Sequence, residues 1–202
     1  MKTLLVSALS LAILLFSCKK DDKVHLQAHD KNEMMAVFHH MLSNMDTMHI
    51  TEDPEIDFPG MMILHHQGAL DMAHLELQKG KNDSLKRIAQ KVIDAQTMEI
   101  AELKAYLDTL HGKPVQVPEF AMEQMTHMKK MHELADIQFI TGDIDNDFAT
   151  LLTIHHQGAI ENAEAYLMYG NDPYLLDKAK MMRDMQVMEI AELKNWLMAH
   201  KR

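Results

Sequence analysis

The chain has 202 residues, among them 20 Met, 14 His and a single Cys, and a formal net charge of −10. An acidic chain with only 5% aromatic residues has neither the basic stripe nor the stacking platforms that nucleic acid requires, which excludes that partner. With 47% apolar and 25% charged residues, the composition is that of a folded protein rather than a disordered one.

The chain starts with Met1-Lys2, followed by an apolar run of 13 residues from Leu4 to Phe16. That run is too short for a bilayer-spanning helix and has the layout of a secretory signal peptide. It ends in Leu15-Phe16-Ser17-Cys18, which resembles the lipobox of bacterial lipoproteins. Residues 1–17 are therefore expected to be removed, Cys18 to be lipidated, and residues 18–29 to form a polar tether. The alternative is an ordinary cleaved signal beside a chance Cys. The lipoprotein reading places the protein in the cell envelope, at the outer membrane, facing either the periplasm or the cell surface. Loss of Lys2 takes the net charge from −10 to −11. It also leaves no thiol outside the anchor, so disulfides and thiolate metal sites are ruled out.

A shift of 90 residues superimposes two halves. His65-His66-Gln67-Gly68-Ala69 falls on His155-His156-Gln157-Gly158-Ala159, and Met98-Glu99-Ile100-Ala101-Glu102-Leu103-Lys104 falls on the same seven residues from Met188. Repeat 1 covers 30–112, a Pro-containing linker 113–118, and repeat 2 covers 119–202. Each repeat reads as three helices, at about 30–49, 57–79 and 83–110 and at their counterparts in repeat 2, from apolar residues recurring every three or four positions. Asp57, Asp147, Asp83 and Asp172 are the expected N-caps, Pro173 a first-turn proline, and Gly80 and Gly170 the C′ glycines. No stretch alternates with period two. The fold class is all-α, with tandem three-helix repeats packed as one or two helical bundles.

Certain polar residues fall on apolar faces. On the third helix, Gln96 and Glu99 lie about 40° and 20° from Val92 at 100° per residue, inside the stripe formed by Leu85, Ile88, Val92, Leu103, Tyr106 and Leu110. Gln186 and Glu189 repeat this among Leu175, Met182, Leu193 and Trp196. On the second helix His65 centres a stripe of Phe58, Met61, Met62, Ala69 and Met72, and His66 is turned onto its flank. Adjacent helix residues do not face each other, so His65 and His66 must meet different neighbours. His65 is expected to meet Glu99 or Gln96 within its repeat, and His155 to meet Glu189 or Gln186. Such a set is either a satisfied structural network or part of a metal site in which Gln and Glu back the histidine ligands.

Met61 and Met62 stand four residues before His65 and His66, so each pair shares a face. His127/Met131 and Met128/His132 repeat the spacing, and His39 and His40 interleave with Met35 and Met41. Thioether and imidazole donors without thiolate suit copper, as Cu(I) or Cu(II), better than zinc, calcium or magnesium. The candidate ligands are His65, His66, His155, His156, Met61 and Met62, with Gln96, Glu99, Gln186 and Glu189 behind them and His39, His40, Met35, Met41, His127, Met131, Met128 and His132 as accessory ligands. Met61 and Met62 become Leu151 and Leu152 in repeat 2, so a Met–His site would not be duplicated intact.

The run Asp57-Phe58, Met61 through Ala73 with its His-His-Gln-Gly-Ala core, and Gln96-x-x-Glu99-Ile100 before Tyr106-Leu107 resembles the bacterial family called domain of unknown function 305, in both repeats. The resemblance implies a ferritin-like helical fold and an envelope protein, since the family includes CopM-type periplasmic copper-resistance proteins. Sequestration or transfer of copper, with a copper-handling protein as partner, is the function expected from it. The alternative is a non-catalytic helical envelope module. No Glu-x-x-His pattern of di-iron bundles occurs in the helices, nor a nucleophile elbow, P-loop or dinucleotide glycine motif, so no enzyme is expected, a copper- or iron-dependent redox enzyme being the last alternative. His132-Glu133 is followed by Asp136 rather than a second His, so the zinc-protease helix fails too.

Overall fold

A computed structural model describes residues 25–200. Cys18, the expected signal segment and the first part of the expected tether lie outside the described residues. The described chain is all-α. After a short 3-10 turn at His29–Lys31 come α1 (Glu33–Asp46), α2 (Pro54–Lys79), α3 (Asp83–Leu107), α4 (Pro118–Asp136), α5 (Ile144–Tyr169) and α6 (Pro173–Ala199). Among the described residues no helix is long and apolar enough to cross a membrane.

The helix starts differ from expectation in an informative way. Asp53 and Asp143, not Asp57 and Asp147, cap α2 and α5, accepting from Glu55 N and Asn146 N. Pro54 takes the first helical position of α2 because its missing N–H is an orphan there in any case. Asp57 and Asp147 sit one turn inside and are fully buried. Each reaches back to the preceding loop. Asp57 accepts from Thr51 N, Thr51 Oγ1 and Glu52 N at 2.8–3.1 Å. Asp147 accepts from Thr141 N, Thr141 Oγ1 and Gly142 N at 2.8–2.9 Å. Asn82, not Asp83, caps α3, accepting from Ser84 N and Leu85 N, while Asp172 caps α6 with Pro173 in its first turn. Helix α3 stops at Leu107, so Leu110 lies beyond the stripe expected to include it.

Gly80 and Gly170 follow α2 and α5, but with φ of −62° and −76° rather than left-handed. Their small size has another cause. A Cβ on Gly80 would lie 2.2 Å from Glu76 Oε1, and one on Gly170 would lie 2.3 Å from the Tyr166 ring.

Helices α2 and α5 are the centre of the molecule. They pack on each other, α3 packs on α2, and α6 packs on α5. Ion pairs Lys91–Glu192, at 3.5 Å, and Lys178–Glu102 tie α3 to α6. α1 lies across α2 and α5, and α4 lies on α5. One apolar core therefore takes Met34, Phe38 and Met61 from repeat 1 together with Met131, Phe148 and Leu151 from repeat 2. The repeats share one core rather than forming two separate bundles. Residues just before α1 dock on repeat 2 as well: Gln27 N donates to Ile140 O at 2.7 Å, and Asn32 Nδ2 donates to Asp147 Oδ2 at 2.7 Å.

Candidate metal centre

His65 and His66 stand in the middle of α2, His155 and His156 in the middle of α5, and all four are fully buried. The rings of His65 and His155 meet across the repeats with centroids 3.6 Å apart. His155 Nε2 donates to the carbonyl oxygen of His65 at 2.8 Å. His66 and His156 turn the other way. His66 Nε2 lies 2.9 Å from Glu99 Oε2, and His156 Nε2 lies 3.0 Å from Glu189 Oε2. The expected pairing is thus corrected. It is His66, not His65, that meets Glu99, and His156, not His155, that meets Glu189. His66 is not on an open flank, because α2 has neighbours on several sides: α3 covers one side, α5 another, and α1 a third. The expectation that adjacent histidines meet different neighbours holds in both repeats.

The glycine of the His-His-Gln-Gly-Ala motif provides the clearance for this packing. A Cβ on Gly68 would lie 2.3 Å from Met41 Sδ, and one on Gly158 would lie 2.7 Å from Met131 Sδ and 3.6 Å from His65 Nε2. Met41 and Met131, equivalent under the 90-residue shift, each press α1 or α4 against the histidine level of the central helices.

Burial holds the pKa of both His65 and His155 well below the ordinary imidazole value of 6.5, and neighbouring imidazoles push in the same direction. For His65 these neighbours are His66 and His156; for His155 they are His65, His156 and His66. Both rings are therefore neutral at physiological pH, with a lone pair available to a metal without loss of a proton. His65 by both ring nitrogens, and His66, His155 and His156 by Nδ1, have neither a hydrogen bond nor an ion pair. Such orphaned buried groups are unfavourable unless a water or an ion satisfies them. The closest approach of buried rings is that of His65 and His155 across the repeats. Among the described residues, the one group of three His, Asp or Glu donors lying within 4.8 Å of one another is elsewhere.

The remaining expected ligands are spread over three places. Met61 and Met62 are fully buried one turn before the histidines, Met61 in the shared core and Met62 against Phe58, Leu103 and Tyr166. Gln96 and Gln186 are buried on α3 and α6 with their Oε1 atoms unpartnered. Met35 is core, His40 is exposed, with Nε2 3.3 Å from Asn44 Nδ2, and His127 is half-buried with Nδ1 unpartnered. Met128 and His132 line a groove of about 420 Å³ together with Met45, Met48, Met61 and Met125. His39 and His132 come together with Asp136, which the sequence offers only as the residue that breaks a protease motif. The His132/Asp136 spacing of four is the available signal; His39, expected as an accessory ligand, joins them only through tertiary packing, 97 residues from Asp136.

Comparison with solved structures finds several of CopM. The Ag-bound form is 26% identical with a TM-score of 0.57, covering 76% of this chain and all of that one. The apo form is 27% identical with a TM-score of 0.56, covering 73% and 98%. The Cu(II)-bound form is 27% identical with a TM-score of 0.55, covering 74% and 99%. No curated protein matches the chain. The family model described as domain of unknown function (DUF305) matches residues 15–107 and again 55–197, so the duplicated histidine-centred bundle described above belongs to the DUF305 family.

Proposed function

We propose that the protein binds copper as Cu(I) at the buried histidine centre and serves in its sequestration or transfer in the cell envelope, held at the outer membrane through Cys18. The ligands come from His65, His66, His155 and His156. Met61 and Met62 add soft donors beside them in repeat 1, and Glu99 and Glu189 supply negative charge behind His66 and His156. The observation that carries this reading is the set of four fully buried histidines, each with at least one ring nitrogen that lacks a partner, two of which bring their rings together across the repeats. A monovalent d¹⁰ ion accepts two nitrogen donors, and the carboxylates of Glu99 and Glu189 offset the cost of burying its charge. The similar CopM structures, which include Ag-bound and Cu(II)-bound forms, support copper binding; the choice of Cu(I) rests on the buried imidazole and thioether donors. Binding and release, rather than turnover, is the activity proposed.

A competition titration of the reduced, oxygen-free apo protein against a chromophoric Cu(I) chelator tests it. The parent should withdraw Cu(I) from the chelator. His66→Ala and His156→Ala, which leave the His65–His155 stack in place, should each weaken that withdrawal at least tenfold. A parent that leaves all Cu(I) on the chelator would sink the proposal. The structural-network reading draws on the His66–Glu99 and His156–Glu189 pairs. It expects equal melting temperatures with and without Cu(I), whereas a ligand bound only to the native state raises the melting temperature.

A further inference from the structure

His39 of α1 and His132 and Asp136 of α4 gather on the surface where the two repeats meet. Asp136 divides its carboxylate between two imidazoles: Oδ1 is 2.9 Å from His39 Nε2, and Oδ2 is 3.4 Å from His132 Nε2. The rings stand edge to face with centroids 5.8 Å apart. One donor atom from each of the three side chains lies within 4.8 Å of the others, which no other three His, Cys, Asp or Glu side chains achieve among the described residues. All three side chains are 40–49% exposed, so water can fill further coordination positions.

We infer that His39, His132 and Asp136 form a second metal site, for a divalent first-row transition ion, that joins α1 of repeat 1 to α4 of repeat 2. The donor chemistry separates it from the buried centre. Two imidazoles and a carboxylate suit Zn(II), Ni(II) or Cu(II), not Ca(II) or Mg(II), which take oxygen donors, and not a soft monovalent ion. Metal–ligand bonds of about 2.0–2.2 Å place neighbouring ligand atoms about 3–3.5 Å apart, so small side-chain rotations bring this set into range. His132 and Asp136 are one turn apart on a single helix and so are preset to share an ion. His39 arrives from a helix that otherwise makes little contact with α4. An ion here therefore adds a cross-link between the repeats where their packing is thin.

Isothermal titration of the full protein with Zn(II), repeated with Co(II) followed by its visible absorption, tests the inference. The parent should take up Zn(II) and gain thermal stability from it. His39→Ala and Asp136→Asn should each lower Zn(II) affinity at least tenfold and remove the Zn(II)-dependent rise in melting temperature, while Cu(I) withdrawal from the chelator stays at the parent level. His66→Ala should do the reverse, so the two sites can fail separately. The side chains are half-exposed, and far-UV circular dichroism of each variant checks its fold. Parent-like Zn(II) affinity in both His39→Ala and Asp136→Asn, or no Zn(II) uptake by the parent, would overturn the inference.

Discussion

The two repeats are built on the same frame and diverge in what fills it. Both anchor the second helix through a buried aspartate bonded to a Thr-containing loop, Asp57 with Thr51 and Asp147 with Thr141. Both set a methionine on the motif glycine and a histidine beside a glutamate. The differences fall at other equivalent positions. Glu76 stands where repeat 2 has Tyr166, Glu52 where it has Gly142, and Met61-Met62 where it has Leu151-Leu152. What has stayed alike is the loop anchor and the histidine level through which α2 and α5 touch, where a change in one repeat would misfit the other. What has drifted lies where each repeat can compensate locally.

The largest test of this frame is removal of the buried aspartates. Asp147 accepts the same loop bonds as Asp57 and one more, from Asn32 Nδ2, the residue that also caps α1 through Met35 N. Hydrogen bonds to a charged group are worth about 1.5–3 kcal/mol each, and orphaned donors add a desolvation cost. Asp147→Ala is expected to lose about 3–5 kcal/mol and Asp57→Ala about 2–4 kcal/mol, as for other broken buried polar networks. Urea unfolding of both variants measures the gap. Equal losses would mean that Asn32 adds nothing to the frame of repeat 2.

The histidine level ties the repeats together and should govern stability in acid. Unfolded His65 and His155 take up protons below about pH 6.5, whereas the native rings do not. Apo-protein stability should therefore be unaffected by these two groups above pH 6.5 and fall as pH drops below it. The slope approaches about 1.4 kcal/mol per pH unit for each histidine. Replacing either ring by Gln should halve the slope. An unchanged slope would mean that the native rings protonate in place.

Repeat 1 and repeat 2 solve one problem with different chemistry at the far end of the central helices. Glu55 Oε1 accepts from Asn171 N at 2.7 Å and Asp172 N at 3.3 Å, and Tyr166 Oη donates to it at 3.4 Å. In the mirror position Asp145 Oδ1 accepts from Lys81 N at 2.8 Å and Asn82 N at 3.0 Å. The side chain facing it is not a phenol but the carboxyl of Glu76. Burial beside another carboxylate favours the neutral form, so Glu76 keeps a proton there, as Tyr166 does by nature. Its burial, and then Asp145, push its pKa from 4.5 up to about 8. The native state keeps this proton between pH 4.5 and 8 while the unfolded chain loses it. The contribution is complete below pH 4.5 and falls away as pH rises to about 8. Together with the histidines, this places the stability maximum from these three groups near pH 6.5. Glu76→Gln should flatten the alkaline side. Glu76→Tyr should do the same and be tolerated, since Gly80 leaves the clearance that Gly170 leaves for Tyr166. A Glu76→Gln profile that still declines between pH 6.5 and 8 would show that the proton sits elsewhere.

Much of this was legible in the sequence because it is local or repeated. The 90-residue shift exposed the duplication, apolar periodicity marked six helices, and polar residues on apolar faces marked the histidine level. The misreadings share one cause. Asp57 and Asp147 resemble caps, but α2 and α5 start one turn earlier, after Asp53 and Asp143, and the buried carboxylates serve the loop instead. The sequence pairs His65 with Glu99 or Gln96 because a single helix against one neighbour has one buried face. With α3, α5 and α1 around it, α2 buries both histidines, and the more central one meets its own copy from repeat 2. Asp136 was noticed only as the residue that spoils a protease motif, since its partner His39 reaches it through tertiary packing alone.

The smallest difference between the repeats is a backbone one. Glu52 and Gly142 are equivalent, and both adopt left-handed conformations, with φ of 65° and 77°. Their N–H groups make the same bond to the buried aspartate, both at 2.8 Å. Only glycine takes this conformation without steric penalty, and a side chain there costs about 1–2 kcal/mol. At 142 a Cβ would also lie 2.7 Å from Gln27 Oε1. Gly142→Ala is therefore expected to lose about 1–2 kcal/mol. The reverse exchange, Glu52→Gly, relieves the strain but loosens the unfolded chain by about 0.5–1 kcal/mol. A net gain of about 0.5 kcal/mol should remain, seen as a rise of one to a few degrees in melting temperature, about the shift such a change brings to a domain of this size. A loss on Glu52→Gly would mean that the Glu52 side chain makes a stabilising interaction strong enough to outweigh the strain, and the two loops would then differ in more than their backbone.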